Sequence, residues 1–212
     1  MKFTRVFNAL KYRQFMNGNE ANSWNCFGMS LCWINCVMTD GGVSPPEKPS
    51  QFFQASLFQN EFNKDSYPYE KLKFAGEVLR GKQSHVIYEI SGGWCYDSPV
   101  DCPATKGILG SYLQSHSGSM ICLLLFINPG LSQGHAVALY RDGNNNHYYF
   151  YDPNEGIYLC EVNAHELLGS IKQYLHHVLK SEYVIVGGLF VKVNYTFYNA
   201  NCISDKNHLF HS

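Results

Sequence analysis

Residues 24–34 read Trp24-Asn25-Cys26-Phe27-Gly28-Met29-Ser30-Leu31-Cys32-Trp33-Ile34, and within them a polar loop passes into an apolar segment. Asn22, Ser23 and Asn25 are residues that often cap the start of a helix. The segment therefore predicts a buried helix with Cys26 in its first turn. A thiol there lies near the positive end of the helix dipole, which favours the thiolate and makes the sulfur a better nucleophile.

Two later segments carry groups that activate such a thiol. In Gln133-Gly134-His135-Ala136-Val137-Ala138-Leu139, His135 opens a predicted strand, and in Phe150-Tyr151-Asp152-Pro153-Asn154-Glu155-Gly156, Asp152 closes the next one. The predicted turn lies midway, so pairing of the strands brings the two residues together. An aspartate bonded to one imidazole nitrogen orients the ring, and the other nitrogen then faces the thiol. The pattern predicts a nucleophile, a base and its orienting group.

The remaining chain predicts helices and strands in an α+β layout. In the first twenty residues, Phe3, Val6, Phe7 and Leu10 have the spacing of one face of a short helix. A second helix is expected over 50–63 with Phe53 and Leu57 inward, and with Phe62 or Phe58 as a further inward position. Gly92-Gly93-Trp94 is expected to be a loop. Further helices are predicted over 69–79, over 106–115 and behind a capping box at 163–166. Strands are predicted over 85–90, 120–127, 135–141, 147–151 and 183–193. The last strand is expected to have a bulge near its glycine pair.

Length and composition limit the classes of function. A chain of 212 residues fits one domain over 1–212, with residues 1–20 as an N-terminal extension and 199–212 as a loose tail. A net charge of −1 argues against a general nucleic-acid or anionic-membrane binder. No apolar run approaches the roughly 18 residues that span a bilayer. The 8 cysteines include no Cys-x-x-Cys pair and are expected to be reduced, and no metal or organic cofactor is expected.

The three segments together resemble the YopT/AvrPphB-type cysteine proteases, papain-like effectors that bacteria deliver into host cells. Cys26, Ser30 and Trp33 match the first block of that family's pattern, Gly134-His135-Ala136-Val137-Ala138 matches the second, and Asp152 with Pro153 and Asn154 matches the third. The resemblance covers about residues 22–156. It implies a papain-like fold, with a helical part packed on an antiparallel sheet.

The resemblance also implies roles for individual residues. Cys26 would be the nucleophile, His135 the base and Asp152 its orienting group, while Ser30 and Trp33 would pack beneath the site. Family members usually have a glycine before the nucleophile, where this chain has Asn25. Their oxyanion group is an amide side chain a few residues upstream, for which Asn22 is the nearest candidate and Asn17 the second. The resemblance further implies a host protein as substrate and secretion into the host cell by a bacterial secretion system, and we expect a monomer.

Three functions stay open at this point. The first is a thiol protease that works through an acyl-enzyme. The second keeps the same three residues and deamidates glutamine or transfers an acyl group, because each reaction passes through a thioester at an activated cysteine. The third is a non-enzymatic binding module on a papain-like scaffold. Each residue alone also has an ordinary structural interpretation, such as a core cysteine or a turn aspartate; their order favours a site.

Overall fold

The computed structural model describes residues 3–8, 25–40, 42–64, 68–81, 88–94, 98–99, 119–128, 133–143, 147–178 and 184–193. The helices are α1 (Cys26–Asp40), α2 (Pro49–Lys64), α3 (Pro68–Gly81) and α4 (Ala164–Val178). The strands are β1 (Phe3–Asn8), β2 (Tyr88–Trp94), β3 (Ser98–Pro99), β4 (Ser119–Asn128), β5 (Gln133–Asp142), β6 (His147–Asp152), β7 (Gly156–Cys160) and β8 (Val184–Val193).

The described strands form one antiparallel sheet in the order β1-β7-β6-β5-β4-β8-β2, and β3 pairs with β8. The apolar strand β4 lies inside this sheet, between β5 and β8. Its side chains alternate between two cores: Leu123 and Leu125 pack with α1 to α3, and Cys122 and Leu124 pack with α4. A strand covered on both faces is apolar at successive positions, which explains the continuous run that predicted it.

The first part of helix α1 is buried throughout. Every residue of 26–34 is buried, because the sheet covers one side of the helix and α2 covers the other. The crossing with α2 depends on Gly28: a Cβ placed there would lie 1.9 Å from the carbonyl oxygen of Ala55. Only a glycine permits that approach of two backbones. The buried helix with Cys26 in its first turn is confirmed.

Three local predictions were wrong. Residues 3–8 are strand β1 rather than a helix, because their backbone pairs with β7 at the sheet edge. Helix α2 buries Ala55, Phe58 and Gln59, whereas Phe53 and Leu57 are 68% and 48% exposed. The Gly92-Gly93-Trp94 segment is not a loop but the end of β2, whose register shifts between Ile90 and Gly93. Gly in a strand often marks such a bulge.

Other predictions have different outcomes. The bulge expected near the glycine pair of the last strand is present, since the register of β8 against β4 shifts between Leu125 and Phe126. The capping residue of α4 is also confirmed, because the Glu166 amide donates to Asn163 Oδ1 at 2.9 Å. The predicted helix over 106–115, the tail over 199–212, and Asn22 and Asn17 lie outside the described residues. None of the described helices has the length and apolar character to cross a membrane.

The Gly28 contact makes a prediction about stability. Gly28→Ala should lower the free energy of unfolding by about 1–3 kcal/mol or more, because the new methyl group must push α2 away. Gly169→Ala in α4 is the matched control, since nothing lies within 4 Å of its added Cβ. It should raise stability by about 1 kcal/mol through helix propensity. Urea denaturation measures the free energy of unfolding of both variants. If Gly28→Ala is as stable as Gly169→Ala, the packing argument is contradicted.

Candidate active site

Cys26 is the first residue of α1 and is 8% exposed. The helix begins after Asn25, whose carbonyl oxygen accepts a hydrogen bond from the Met29 amide at 2.8 Å. The backbone amides of the first turn have no partner within the helix itself, so they need acceptors from elsewhere. The nucleophile predicted from the sequence therefore lies at the positive end of the helix, beside amides whose acceptors come from outside the helix.

Gln59 of α2 supplies an acceptor for two of these amides. Its Oε1 accepts hydrogen bonds from the amides of Phe27 and Gly28, at 3.1 and 3.2 Å. Its Nε2 donates to Asn63 Oδ1 at 3.0 Å, which fixes the orientation of the side chain. Gln59 is only 5% exposed, so these bonds are sheltered from water. A neutral side chain thus caps the helix from outside without placing a negative charge near the sulfur.

His135 and Asp152 meet across the β5–β6 pair. Ala138 lies opposite Tyr151, so Asp152 and His135 are diagonal neighbours on one face of the sheet. His135 Nε2 and Asp152 Oδ2 are 3.1 Å apart. His135 is also hydrogen-bonded to Cys26. Since Nε2 faces the carboxylate, Nδ1 is the ring nitrogen left for the thiol. His135 therefore contacts both of the other residues singled out in the sequence.

Further donors surround the Asp152 carboxylate, which has no exposed surface. The Asn154 amide donates to Oδ1 at 2.8 Å, within the turn that joins β6 to β7. The Tyr174 hydroxyl of α4 donates to Oδ2 at 2.9 Å. The turn closes with a bond from the Glu155 amide to the Asp152 carbonyl and with Gly156 at φ 135°, a conformation that favours glycine. Both carboxylate oxygens are thus held.

Burial and charge act in opposite directions on this pair. Burial alone lowers the pKa of His135, but the charge of Asp152, its hydrogen bond and the contact with Cys26 raise that pKa to about 10. Burial alone raises the pKa of Asp152, but the charge and hydrogen bond of His135, with the Asn154 and Tyr174 bonds, leave that pKa below its usual value. The pair is therefore an imidazolium and a carboxylate at neutral pH.

Ser30 and Trp33 support the site from beneath, as their spacing predicted. Ser30 Oγ donates to the carbonyl oxygen of Ala136 at 3.1 Å, which ties α1 to the strand that carries His135. Trp33 stacks on Tyr151 with ring centroids 5.2 Å apart, next to Asp152 in β6. Both contacts join the helix that carries the thiol to the hairpin that carries the other two groups.

Sequence reasoning missed Gln59 and Tyr174 as residues of the site. Tyr174 lies in the helix predicted behind the capping box, and Gln59 lies in a helix whose predicted inward face is wrong. Neither residue has a local sequence signal. Gln59 binds Gly28, which lies 31 residues earlier, and Tyr174 binds Asp152, which lies 22 residues earlier. Within the part of the chain that the structure describes, no cluster of three or more His, Cys, Asp or Glu side chains suits a metal ion.

Comparisons with known proteins bear on the fold. No protein-family model matches the chain, and neither does any curated protein. Among solved structures, the Pseudomonas avirulence protein AvrPphB superposes with a TM-score of 0.52, covering 81% of this chain and 93% of AvrPphB at 17% identity. The chain has the papain-like fold of AvrPphB. The fold expected from the sequence resemblance is thereby confirmed.

A second similar structure is PatoxP, described as a cysteine protease-like domain of the Photorhabdus asymbiotica toxin PaTox. The superposition covers 90% of this chain and 59% of the PatoxP chain, with 10% identity and a TM-score of 0.38. A TM-score at that level supports no argument about this chain. The likeness to AvrPphB concerns the fold alone, because 17% identity says little about individual residues.

The buried pair makes stability depend on pH in a definite direction. The contribution of His135 is complete below its unfolded pKa of 6.5 and is lost as pH rises toward about 10. The contribution of Asp152 is complete above its usual value of 3.8 and is lost as pH falls through its lowered pKa. Asp152→Asn should therefore cost most stability, about 3–5 kcal/mol, between about pH 4 and 6.5, and less near pH 9.

Urea denaturation at several pH values measures this window. The matched control is Glu61→Gln, which breaks the exposed ion pair between Glu61 and Lys64 and should cost less than about 1 kcal/mol. A cost of Asp152→Asn that stays constant from about pH 5 to 9 would show that the buried pair is not ionised.

Gln59 allows a test of the electrostatics at the start of α1. Gln59→Glu keeps the shape and the acceptor oxygen but adds a negative charge beside the Phe27 and Gly28 amides. The charge disfavours a thiolate at Cys26, so alkylation of Cys26 by iodoacetamide should slow at neutral pH. The control is Asn60→Asp, which adds the same charge at an exposed position of α2. Equal rates for the two variants would contradict the expectation.

Proposed function

We propose that this protein is a cysteine protease in which Cys26 is the nucleophile, His135 the general acid and base, and Asp152 the residue that orients His135. The observation that carries the proposal is the buried His135–Asp152 contact at 3.1 Å, with His135 also bonded to the thiol at the start of α1. A nucleophile, a base and an orienting carboxylate in contact are the groups that covalent amide hydrolysis requires.

In the first half-reaction, the Cys26 sulfur forms a bond to the carbonyl carbon of the scissile peptide. The carbonyl oxygen becomes an oxyanion, and the carbon–nitrogen bond then breaks as the His135 imidazolium gives its proton to the departing amine. A thioester at Cys26 results. In the second half-reaction, water attacks the thioester while His135 takes its proton. The acid product leaves, and the thiolate–imidazolium pair is restored.

The oxyanion needs donors aimed at it. The Phe27 and Gly28 amides already donate to Gln59, so they do not serve as those donors. We assign the role to the Cys26 backbone amide, together with an upstream amide side chain. For that second donor Asn22 stays the first choice and Asn17 the second, as the sequence resemblance predicts.

The biological setting rests on the comparison. AvrPphB is an avirulence protein of Pseudomonas, and it shares the fold of this chain at 17% identity. We infer that this protein is likewise a bacterial effector that is secreted into a host cell and cleaves a host protein there. The side chains support the proposed class of reaction, whereas the comparison with AvrPphB supports the proposed location of the substrate.

The reaction is tested with a peptide library derived from a host proteome, in which new amino termini are identified by mass spectrometry. The wild type should cleave a defined sequence, and Cys26→Ala or His135→Ala should lower kcat/KM by about a thousandfold or more. The matched control, Cys36→Ala, removes another buried cysteine of α1 and should retain cleavage. Glutamine deamidation without cleavage, or binding without any chemistry, would contradict the protease assignment.

The state of the thiol is tested independently of any substrate. Alkylation by iodoacetamide, resolved by residue, should be fastest at Cys26 near neutral pH, because the imidazolium of His135 favours a thiolate beside it. In His135→Ala this difference between Cys26 and the other cysteines should be lost. The buried Cys32, Cys36, Cys122 and Cys160 are internal controls. Equal behaviour of Cys26 in both proteins would contradict the proposed pair.

A further inference from the structure

A chain of hydrogen bonds joins the N-terminal strand to the Asp152 carboxylate. Arg5 of β1 lies opposite Tyr158 of β7, and its Nε and Nη2 donate to the Tyr158 hydroxyl at 3.0 and 2.6 Å. The rings of Tyr158 and Tyr174 meet edge-on with centroids 5.2 Å apart, and their hydroxyls interact. Tyr174 donates to Asp152 Oδ2 at 2.9 Å. The chain therefore leads from a cation near the surface to the buried anion.

The two ends of this chain determine how its outer bonds run. A guanidinium can only donate, so the Tyr158 oxygen accepts both bonds from Arg5. An ionised carboxylate can only accept, so the Tyr174 proton points to Asp152. The Tyr174 hydroxyl is thus held as a donor to Asp152, with the Tyr158 ring and the Arg5 cation behind it.

Both tyrosines keep their protons. Burial and the charge of Asp152 raise the pKa of Tyr174, and burial raises the pKa of Tyr158 against the lowering effect of Arg5. Tyr174 is thus a fixed donor at any pH at which a protease works. Tyr174 and His135 share the same oxygen, Oδ2, while the Asn154 amide holds Oδ1. The hydroxyl therefore helps to determine where the carboxylate lies relative to the imidazole.

Strand β1 holds Arg5 in place through contacts of its own. Phe3 stacks on Phe150 with centroids 5.4 Å apart and meets the Tyr174 ring edge-on at 5.8 Å. Arg5 also pairs with Glu155 at 2.7 Å, in the turn that follows Asp152. The β1 strand is thus joined to both sides of the Asp152 turn.

We propose that Tyr174, Tyr158 and Arg5 are positioning residues that keep Asp152 ionised and oriented, so that strand β1 is part of the active site. This inference rests on the proposed function and names residues that act on Asp152 without touching a substrate. The N-terminal residues, expected from the sequence to be an extension of the domain, are then required for full activity. The ionisable groups that surround Asp152 are His135 on β5, Tyr151 on β6 and Tyr174 on α4, and beyond them Cys26, Tyr158, Arg5 and Glu155.

The first test is Tyr174→Phe, which keeps the ring and its packing but removes the hydroxyl. One of the bonds that lower the pKa of Asp152 is then lost, so the carboxylate takes up a proton at a higher pH. The low-pH limb of Cys26 alkylation, which is the range over which the rate falls as the pH is lowered, should move to higher pH. On a cleavable peptide, kcat/KM should fall about tenfold. A residue that only packs would not move the pH limb.

The second test asks whether Arg5 acts through the tyrosines. Arg5→Met keeps an apolar stem at a position whose side chain is 34% exposed, so this variant is expected to fold. It should move the low-pH limb in the same direction as Tyr174→Phe, but by less. In the Tyr174→Phe background, Arg5→Met should have no further effect, because the chain is already interrupted.

Tyr149→Phe is the matched control. It removes a hydroxyl from the same strand as Asp152, but Tyr149 packs on the opposite core. The control should leave the pH limb unchanged. If Tyr174→Phe is too unstable for assay, Tyr158→Phe interrupts the chain one step further from the carboxylate and carries the same expectation.

Two results would overturn the inference. If Tyr174→Phe and Arg5→Met leave the pH limb unchanged while His135→Ala slows alkylation of Cys26, the positioning role is wrong and the proposed triad stands. If Cys26 in the wild type reacts no faster than the other cysteines and is insensitive to His135→Ala, the proposed function fails and the positioning role fails with it.

Discussion

Burial of a negative charge at Asp152 is the constraint on which the arrangement of the site depends. A carboxylate without exposed surface is costly unless donors replace the water that it has lost. Those donors come from β5, from the β6–β7 turn and from α4. The sheet and the helix behind it must therefore be assembled before the charge is tolerated, and once assembled they hold the imidazole in one orientation.

The thiol reaches this pair through a second constraint, the close packing of α1. Gly28 lets α1 approach the Ala55 carbonyl of α2, and Gln59 from α2 caps the amides that follow Cys26. Ser30 ties the opposite side of the helix to β5. The position of Cys26 thus depends on the packing of α1 against α2 and β5. The positions of His135 and Asp152 depend on the register of β5 and β6. The site lies where helix α1 meets the interior strands β5 and β6, in the papain-like fold shared with AvrPphB.

Errors of the sequence interpretation have physical causes. Phe3 and Phe7 fit a helical spacing, but residues 3–8 complete the hydrogen bonds of the β7 edge, a gain that no local pattern reveals. In α2 the aromatic residues are so frequent that the inward face is ambiguous, and the inward positions are set by the approach to Gly28, with Gln59 buried and Phe53 exposed. The glycines of β2 suggested a loop, yet they lie at a bulge in a strand that β8 holds.

The sequence alone determined what depends on neighbouring residues: the helix that begins at Cys26, the apolar strand β4, the β5–β6 hairpin and the capped helix α4. From the hairpin and the order of the segments it also predicted that His135 lies near Asp152. Only the tertiary structure decided which distant groups complete the site, namely Gln59 at the helix start and the tyrosines and Arg5 behind the carboxylate. Those contacts join residues that are far apart in the chain, up to 153 positions for Arg5 and Tyr158, so periodicity and local propensity do not predict them.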